Sequence, residues 1–279
     1  MPVLFAYEDS KYMMMRNLKT TTIQFPISWE NKLENLTTLA SMIRPLIGKT
    51  ELVILPEMFN TGFSMNVQNL AEGMDGSTIQ WMRDLSKSCQ IILAGSIIIE
   101  ENGNYFNRLI WMLPNGQMGH YDKRHLFAYA DEDKYFKAGQ QRFIGAVNGW
   151  KLNMQICYDL RFPVWSRQQQ PAEFDVLVYV ANWPARRALA WKSLLRARAI
   201  ENQCYVIGVN RVGLDDKGLE YQGDTMVIDP LGECLHHAKD QTDIFSFELD
   251  YEKLNHVRAQ FPFWKDADSF TIFPSDEAE

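Results

Sequence analysis

Three residues that can do chemistry each stand where an apolar run ends. Glu57 closes "LVILPE", Lys123 closes "MGHYDK" and Cys157 closes "LNMQIC". In open sheets, ligands gather where strands stop. Each residue alone has a plain structural reading: a cap or ion-pair partner for Glu57, a solvated strand end for Lys123, a small buried hydrophobe for Cys157. Together they form a set. A free thiol has a pKa of about 8.5, and the thiolate is the attacking species. A neighbouring ammonium favours that thiolate, and it can face the oxygen that turns negative in a tetrahedral intermediate. A carboxylate can accept the thiol proton and pass it to a leaving amine. Cys157, Lys123 and Glu57 therefore suffice to break a C–N bond, with water entering in the second half-reaction and no metal required. His125 follows shortly after Lys123 in "YDKRHLF", and a Cys157–His125 dyad is the competing assignment, because such pairs assemble in space rather than in chain order.

These residues need strands to hold them. "TTTIQF" (20–25), "ELVILPE" (51–57), "QIILAGSIII" (90–99), "DVLVYVANW" (175–183), "CYVIGVNRVG" (204–213) and "TDIFSFELD" read as strands. Asn115–Gly116 and Asn148–Gly149, each between apolar runs, predict hairpins over 107–123 and 142–157. A further hairpin is expected over 221–238, turning at Pro230–Gly232. Helical spacing covers 33–47, 77–89 and 187–202, with a helix after Pro163 and a last one at "YEKLNHVRAQ". Several strands are apolar on both faces and so need cover on each side. The hairpins insert antiparallel pairs into an α/β pattern, which favours mixed sheets, with two sheets facing each other as one arrangement, over a simple doubly wound fold. Residues 1–19 fit this scheme badly. They are expected to be a floppy extension or an upstream start, with a docking arm as the alternative. Residues 20–279 read as a single domain with a C-terminal tail.

Composition narrows the class. The 279 residues are 46% apolar and carry 28 basic against 35 acidic side chains, a net charge of −7. An acidic whole argues against a general nucleic-acid binder. No apolar run is long enough for a spanning helix, and the first residues read poorly as a signal peptide. A cytoplasmic protein with no membrane partner is the expectation. Cys89, Cys157, Cys204 and Cys234 are widely spaced, which argues against a zinc knuckle and a disulfide scaffold. No phosphate-binding loop, dinucleotide fingerprint or H-E-x-x-H stands in the chain, so neither cofactor nor metal is expected.

At this point the sequence resembles the nitrilase, or carbon–nitrogen hydrolase, superfamily, and most closely its ω-amidase branch. The resembling stretches are "VILPEMFNTGF" (53–63), "YDKRHLF" (121–127), "CYDLRFP" (157–163), "RARAIENQCYV" (196–206) and "YQGDTMVIDPLGE" (221–233). The resemblance implies an α-β-β-α sandwich of two mixed sheets flanked by helices, and members that pair as dimers. It implies Glu57 as general base and acid, Lys123 as oxyanion stabiliser and Cys157 as nucleophile. It also implies a second carboxylate after the lysine, assigned to Glu132 in "AYADEDKYF", and an oxyanion contact from the Tyr158 backbone N–H. The expected reaction is release of ammonia, through a cysteine thioester, from short dicarboxylic monoamides such as 2-oxoglutaramate and 2-oxosuccinamate.

Such a substrate carries a carboxylate at its far end, which suits a planar guanidinium. Arg161 is the nearest candidate, with an ion pair to Asp159 as its structural alternative. Arg186 and Arg187 are weaker candidates. Phe59, Phe127 and Trp183 are expected to wall the pocket, and Asn182 to bond the substrate or its loop. A broader aliphatic amidase, a nitrilase or an N-carbamoyl amide hydrolase would use the same residues. A non-catalytic binding protein on this scaffold is the reading from another class.

Overall fold

Strands that are apolar on both faces must be covered twice, and the fold does so with a second sheet on one side and helices on the other. The computed structural model describes residues 3–7, 17–169 and 173–272. In chain order its elements are β1 (Val3–Tyr7), β2 (Leu18–Gln24), α1 (Lys32–Ile43), β3 (Leu52–Ile54), α2 (Val67–Leu70), α3 (Ser77–Cys89), β4 (Ile92–Glu101), β5 (Asn104–Met112), β6 (Met118–Asp122), α4 (Glu132–Tyr135), β7 (Phe143–Val147) and β8 (Trp150–Ile156). There follow α5 (Pro163–Ser166), β9 (Val176–Val180), α6 (Ala188–Asn202), β10 (Tyr205–Val209), β11 (Val212–Leu214), β12 (Glu220–Ile228), β13 (Cys234–Lys239), β14 (Asp243–Leu249) and α7 (Tyr251–Gln260).

One sheet runs β14-β2-β3-β4-β5-β6, and the other runs β1-β7-β8-β9-β10-β12-β11 with β13 on β12. Both are mixed. The pairs β2–β3, β3–β4, β8–β9 and β9–β10 are parallel, and the hairpins β5–β6 and β7–β8 are antiparallel. The period of two decides which face each residue covers. Leu52 and Ile54 of β3 pack toward the other sheet, with Trp111, Leu152 and Met154. Val53 and Leu55, one step along, pack with Leu39 and Ile43 of α1 and with Ile79 and Met82 of α3. Each such buried Leu or Ile gains about 1.5–3 kcal/mol, and truncating Ile54 to Ala is expected to cost about 2–5 kcal/mol. On the far side α6 lies so close to β10 that a Cβ on Gly208 would meet Leu195 at 2.5 Å. Those two helix layers complete an α-β-β-α sandwich.

The expected hairpins form at Asn115–Gly116, at Asn148–Gly149 and over β12–β13. Asn148 and Gly149 have φ of 50° and 86°, the left-handed pair of a two-residue turn. A further hairpin, β4–β5, turns at Asn102–Gly103 with φ of 53° and 75°; the same dipeptide signal stood there unread. The run 204–213 divides into β10 and β11, and the helix after Pro163 is the short α5. The extension over 1–19 falls largely outside the described residues, as does the tail from 273. Within the extension, Val3–Tyr7 pair in parallel with β7, and Leu18 already begins β2.

Candidate active site

Glu57 follows β3, Lys123 follows β6, Cys157 follows β8 and Asn182 follows β9, so each sheet contributes two residues at one rim. Lys123 Nζ lies 2.8 Å from Glu57 Oε1, and 3.0 and 2.9 Å from the two Glu132 oxygens. All three side chains are buried. Asn107 Nδ2 donates to Glu57 Oε1 at 2.8 Å and to Glu132 Oε1 at 3.1 Å, bridging the two carboxylates. The Asn182 N–H donates to Glu57 Oε2 at 2.8 Å, its Nδ2 donates to the Glu57 carbonyl at 2.6 Å, and the Phe127 N–H donates to Glu132 Oε2 at 2.6 Å. Cys157 Sγ is 4.0 Å from the carbonyl of Asn182, the residue that holds Glu57.

Cys157 sits where β8 breaks into a 3-10 turn over Cys157–Arg161. Its φ of 44° is left-handed, a conformation that costs a non-glycine residue about 1–2 kcal/mol. Asp159 holds it there. Asp159 Oδ2 accepts from the Ile156 N–H at 3.0 Å and from the Tyr121 hydroxyl at 2.7 Å, while Oδ1 accepts from the His125 N–H at 3.0 Å. The strand that ends in Lys123 and the turn that carries Cys157 are thereby tied to one buried carboxylate. The first N–H groups of a helical turn have no partner within it, and Tyr158 is the second residue of this turn, next to Cys157.

The electrostatics divide the labour. Burial, then the Glu57 charge, pushes the Cys157 thiol well above its ordinary pKa, with Lys123 opposing. Burial and the Glu57 charge thus work against the thiolate that an ammonium alone would favour. Burial lowers the Lys123 pKa, but Glu132 and then Glu57 outweigh it and hold the ammonium charged far above the ordinary range. Burial, with Glu57 adding to it against Lys123, raises Glu132.

Cys157, Lys123, Tyr158, Arg161, Phe127, Asn182 and Trp183 line a single cavity of about 550 Å³. Phe59 does not. It packs with Trp81 on the helix side of its sheet, and a Cβ on Gly95 would come within 2.8 Å of its ring. The left-handed Met58 (φ 43°) turns the chain after Glu57 and directs Phe59 away from the rim. Nor is His125 a partner of the sulfur. Its Nδ1 lies 2.8 Å from Asp159 Oδ1, and its ring stacks on Phe162 at 3.8 Å. Asp159, bound to Tyr121 and His125, makes no ion pair with Arg161, which lies over the Trp183 ring at 4.9 Å. Sequence reasoning missed Asn107 and the holding role of Asp159. A polar Asn on an otherwise apolar strand was the available signal for the first. Trp29, Phe63 and Tyr221 also line the cavity and had none.

Residues 19–259 match the carbon–nitrogen hydrolase family. The chain is 41% identical over 260 residues to the omega-amidase YafV of Escherichia coli (strain K12), covering 93% of this chain and 100% of that protein. It is 34% identical to the 2-oxoglutaramate amidase of Bacillus subtilis (strain 168), covering 88% and 95%. Among solved structures it is similar to XC1258 from Xanthomonas campestris, a CN-hydrolase superfamily protein with an arsenic adduct in its active site: TM-score 0.91, 41% identity, 93% of this chain and 100% of that one.

Proposed function

Since the chain belongs to the carbon–nitrogen hydrolase family and is a cysteine-dependent hydrolase releasing ammonia from amides, we propose that its substrates are the ω-amides of short dicarboxylic monoamides, 2-oxoglutaramate and 2-oxosuccinamate among them. The observation that carries this reading is one cavity lined by Lys123 and Cys157, with Glu57 bonded to Lys123 behind its wall, and by the guanidinium of Arg161 on its aromatic support.

The reaction follows from the geometry. Cys157 Sγ attacks the amide carbon as Glu57 takes the thiol proton, so the raised thiol pKa is met by proton transfer in the same step. The oxyanion forms against the Tyr158 N–H and in the field of Lys123, whose N–H groups are already engaged by Glu57 and Glu132. Glu57 returns the proton to the departing nitrogen, ammonia leaves and a thioester remains. Water then gives its proton to Glu57 and adds to the thioester carbon. Collapse frees the carboxylate and restores the thiol. Glu132 and Asn107 hold Lys123 and Glu57 in place, and Asn182 fixes Glu57 from the opposite sheet. Arg161 takes the far carboxylate, while Trp183, Phe127 and Tyr158 wall the space and exclude water.

No helix among the described residues is long and apolar enough to cross a membrane. Free cysteines throughout the described residues support a reducing, cytoplasmic setting. Val164 and Leu189, exposed on α5 and α6, support a homodimer formed across those helices. The deciding assay measures ammonia from 2-oxoglutaramate, 2-oxosuccinamate, a neutral aliphatic amide, a nitrile and an N-carbamoyl amine. The acid monoamides are expected to be fastest. A neutral amide turned over more efficiently than either would overturn the substrate assignment.

A further inference from the structure

Charge around the cavity is unevenly paired. Three of the four acids that line it have partners of their own, and the fourth, Asp216, is exposed. Glu30 accepts from Ser64 Oγ at 2.5 Å and Asn66 Nδ2 at 3.0 Å. Asp131 pairs with Lys134 at 2.8 Å, and Asp215 accepts from the Lys217 and Leu219 N–H groups at 2.9 and 2.8 Å. The arginines do not share this. Arg161 Cζ lies 4.9 Å from the Trp183 ring centre, and Arg187 Cζ lies 4.9 Å from that of Phe127. Among the described residues neither has a carboxylate at ion-pairing distance, although both are half-buried and line the cavity. Burial, then the charge of Arg186, lowers the Arg187 pKa; Cys157 opposes and Arg161 adds to it. Two unneutralised, partly dehydrated cations are unfavourable until an anion or strong acceptor lies between them.

The supports of these arginines are bonded to the reaction centre. Trp183 follows Asn182, whose N–H holds Glu57, and Trp183 Nε1 donates to the Arg187 carbonyl at 2.8 Å. Phe127, under Arg187, gives its N–H to Glu132. We infer that Arg161 and Arg187 form a two-guanidinium clamp on a 2-oxo acid, Arg161 taking the carboxylate and Arg187 the adjacent 2-oxo oxygen, so that Arg187 distinguishes 2-oxo acids from plain acids. This rests on the ω-amide reading above. We take the order from the supports: Phe127, under Arg187, donates to Glu132 beside Lys123, whereas Arg161 ends the turn that Cys157 opens. In an extended acyl chain the 2-oxo carbon is one bond nearer the amide than the carboxylate carbon. A plain acid has a methylene there and leaves the Arg187 N–H groups unmatched. Sites built to hydrogen-bond a substrate oxygen discriminate strongly against analogues without it.

The test compares kcat/KM for 2-oxoglutaramate and for glutaramate, the same chain with a methylene in place of the 2-oxo carbonyl. The enzymes are the full-length wild type, Arg187→Met, Arg187→Lys and Arg161→Met, with thermal transitions recorded for each. The wild type is expected to prefer the 2-oxo acid. Arg187→Met is expected to cut that preference by about tenfold or more, and Arg161→Met to weaken both substrates while holding their ratio within about threefold. Should Arg187→Met fail to fold, Arg187→Lys carries the test, since an ammonium lacks the planar fork and is expected to cut the ratio by about threefold or more. An unchanged ratio in a folded Arg187 variant overturns the assignment, as does a ratio that collapses in Arg161→Met instead. A wild type that turns over a neutral amide but neither acid removes the ω-amide reading itself, and the clamp with it.

Discussion

Replacing Lys123 by Met tests the cluster most directly, because the lysine is the sole cation among the three buried charges. Two carboxylates and one ammonium sum to −1; without the ammonium the same buried volume holds −2. Removing one partner of a buried pair typically costs about 3–5 kcal/mol. The surviving donors, Asn107 Nδ2, the Asn182 N–H and the Phe127 N–H, still solvate the carboxylates, and the adjoining cavity admits water. The lower end, about 3 kcal/mol, is therefore expected. For a chain of this size that lowers Tm by about 6–12 °C. The pH dependence has a definite sign. Burial, with Glu57 against Lys123, raises the Glu132 pKa in the folded state, so the folded protein binds that proton more tightly than the unfolded chain does. Stability from this group is fully present below the unfolded pKa and is lost as pH rises through the raised folded pKa. Losing Lys123 strengthens the effect. The gap between wild type and Lys123→Met is therefore widest at alkaline pH and narrows on acidification. Thermal and urea unfolding across that range measure it. A gap that is absent at alkaline pH, or that widens on acidification, refutes the reasoning.

Cys157→Ala is expected to abolish ammonia release while keeping the fold. Cys157→Gly should unfold at higher urea than the Ala variant, by about 0.5–1 kcal/mol, because the φ of 44° suits glycine. Glu57→Gln is expected to lower kcat by about 10²–10⁴, and a single-turnover experiment should show no rapid burst of ammonia; a surviving burst would separate Glu57 from the leaving group. A neutral alkylating agent at pH 7 is expected to label exposed Cys234 before buried Cys157, with activity lost only at the second event and faster as pH rises. Peptide mapping alongside ammonia assays follows both.

Much of the fold was legible because strand periodicity and Asn-Gly turns are local signals. The boundaries of α3 match the sequence reading at both ends for that reason. Glu57, Lys123 and Cys157 could be singled out because each closes an apolar run. Phe59 shows the limit. It sits two residues from Glu57, and only the left-handed backbone at Met58 decides which side of the sheet it covers. The balance of charges on Cys157 was equally hidden. Sequence shows an ammonium that favours thiolate, whereas burial and two nearby carboxylates, visible only in space, outweigh it. Arg187 was a weak candidate because its distinguishing property is the lack of an acidic partner, and no linear pattern records that.

Because Glu57 and Lys123 ride on one sheet and Cys157 on the other, the proposed reacting groups serve as a gauge of how the two layers are seated. A small slip of one layer leaves every ladder of either sheet intact yet parts sulfur from carboxylate. Turnover should therefore fade in mild denaturant before circular dichroism changes, and substitutions at the seam, far from the cavity, should be felt first as slower catalysis.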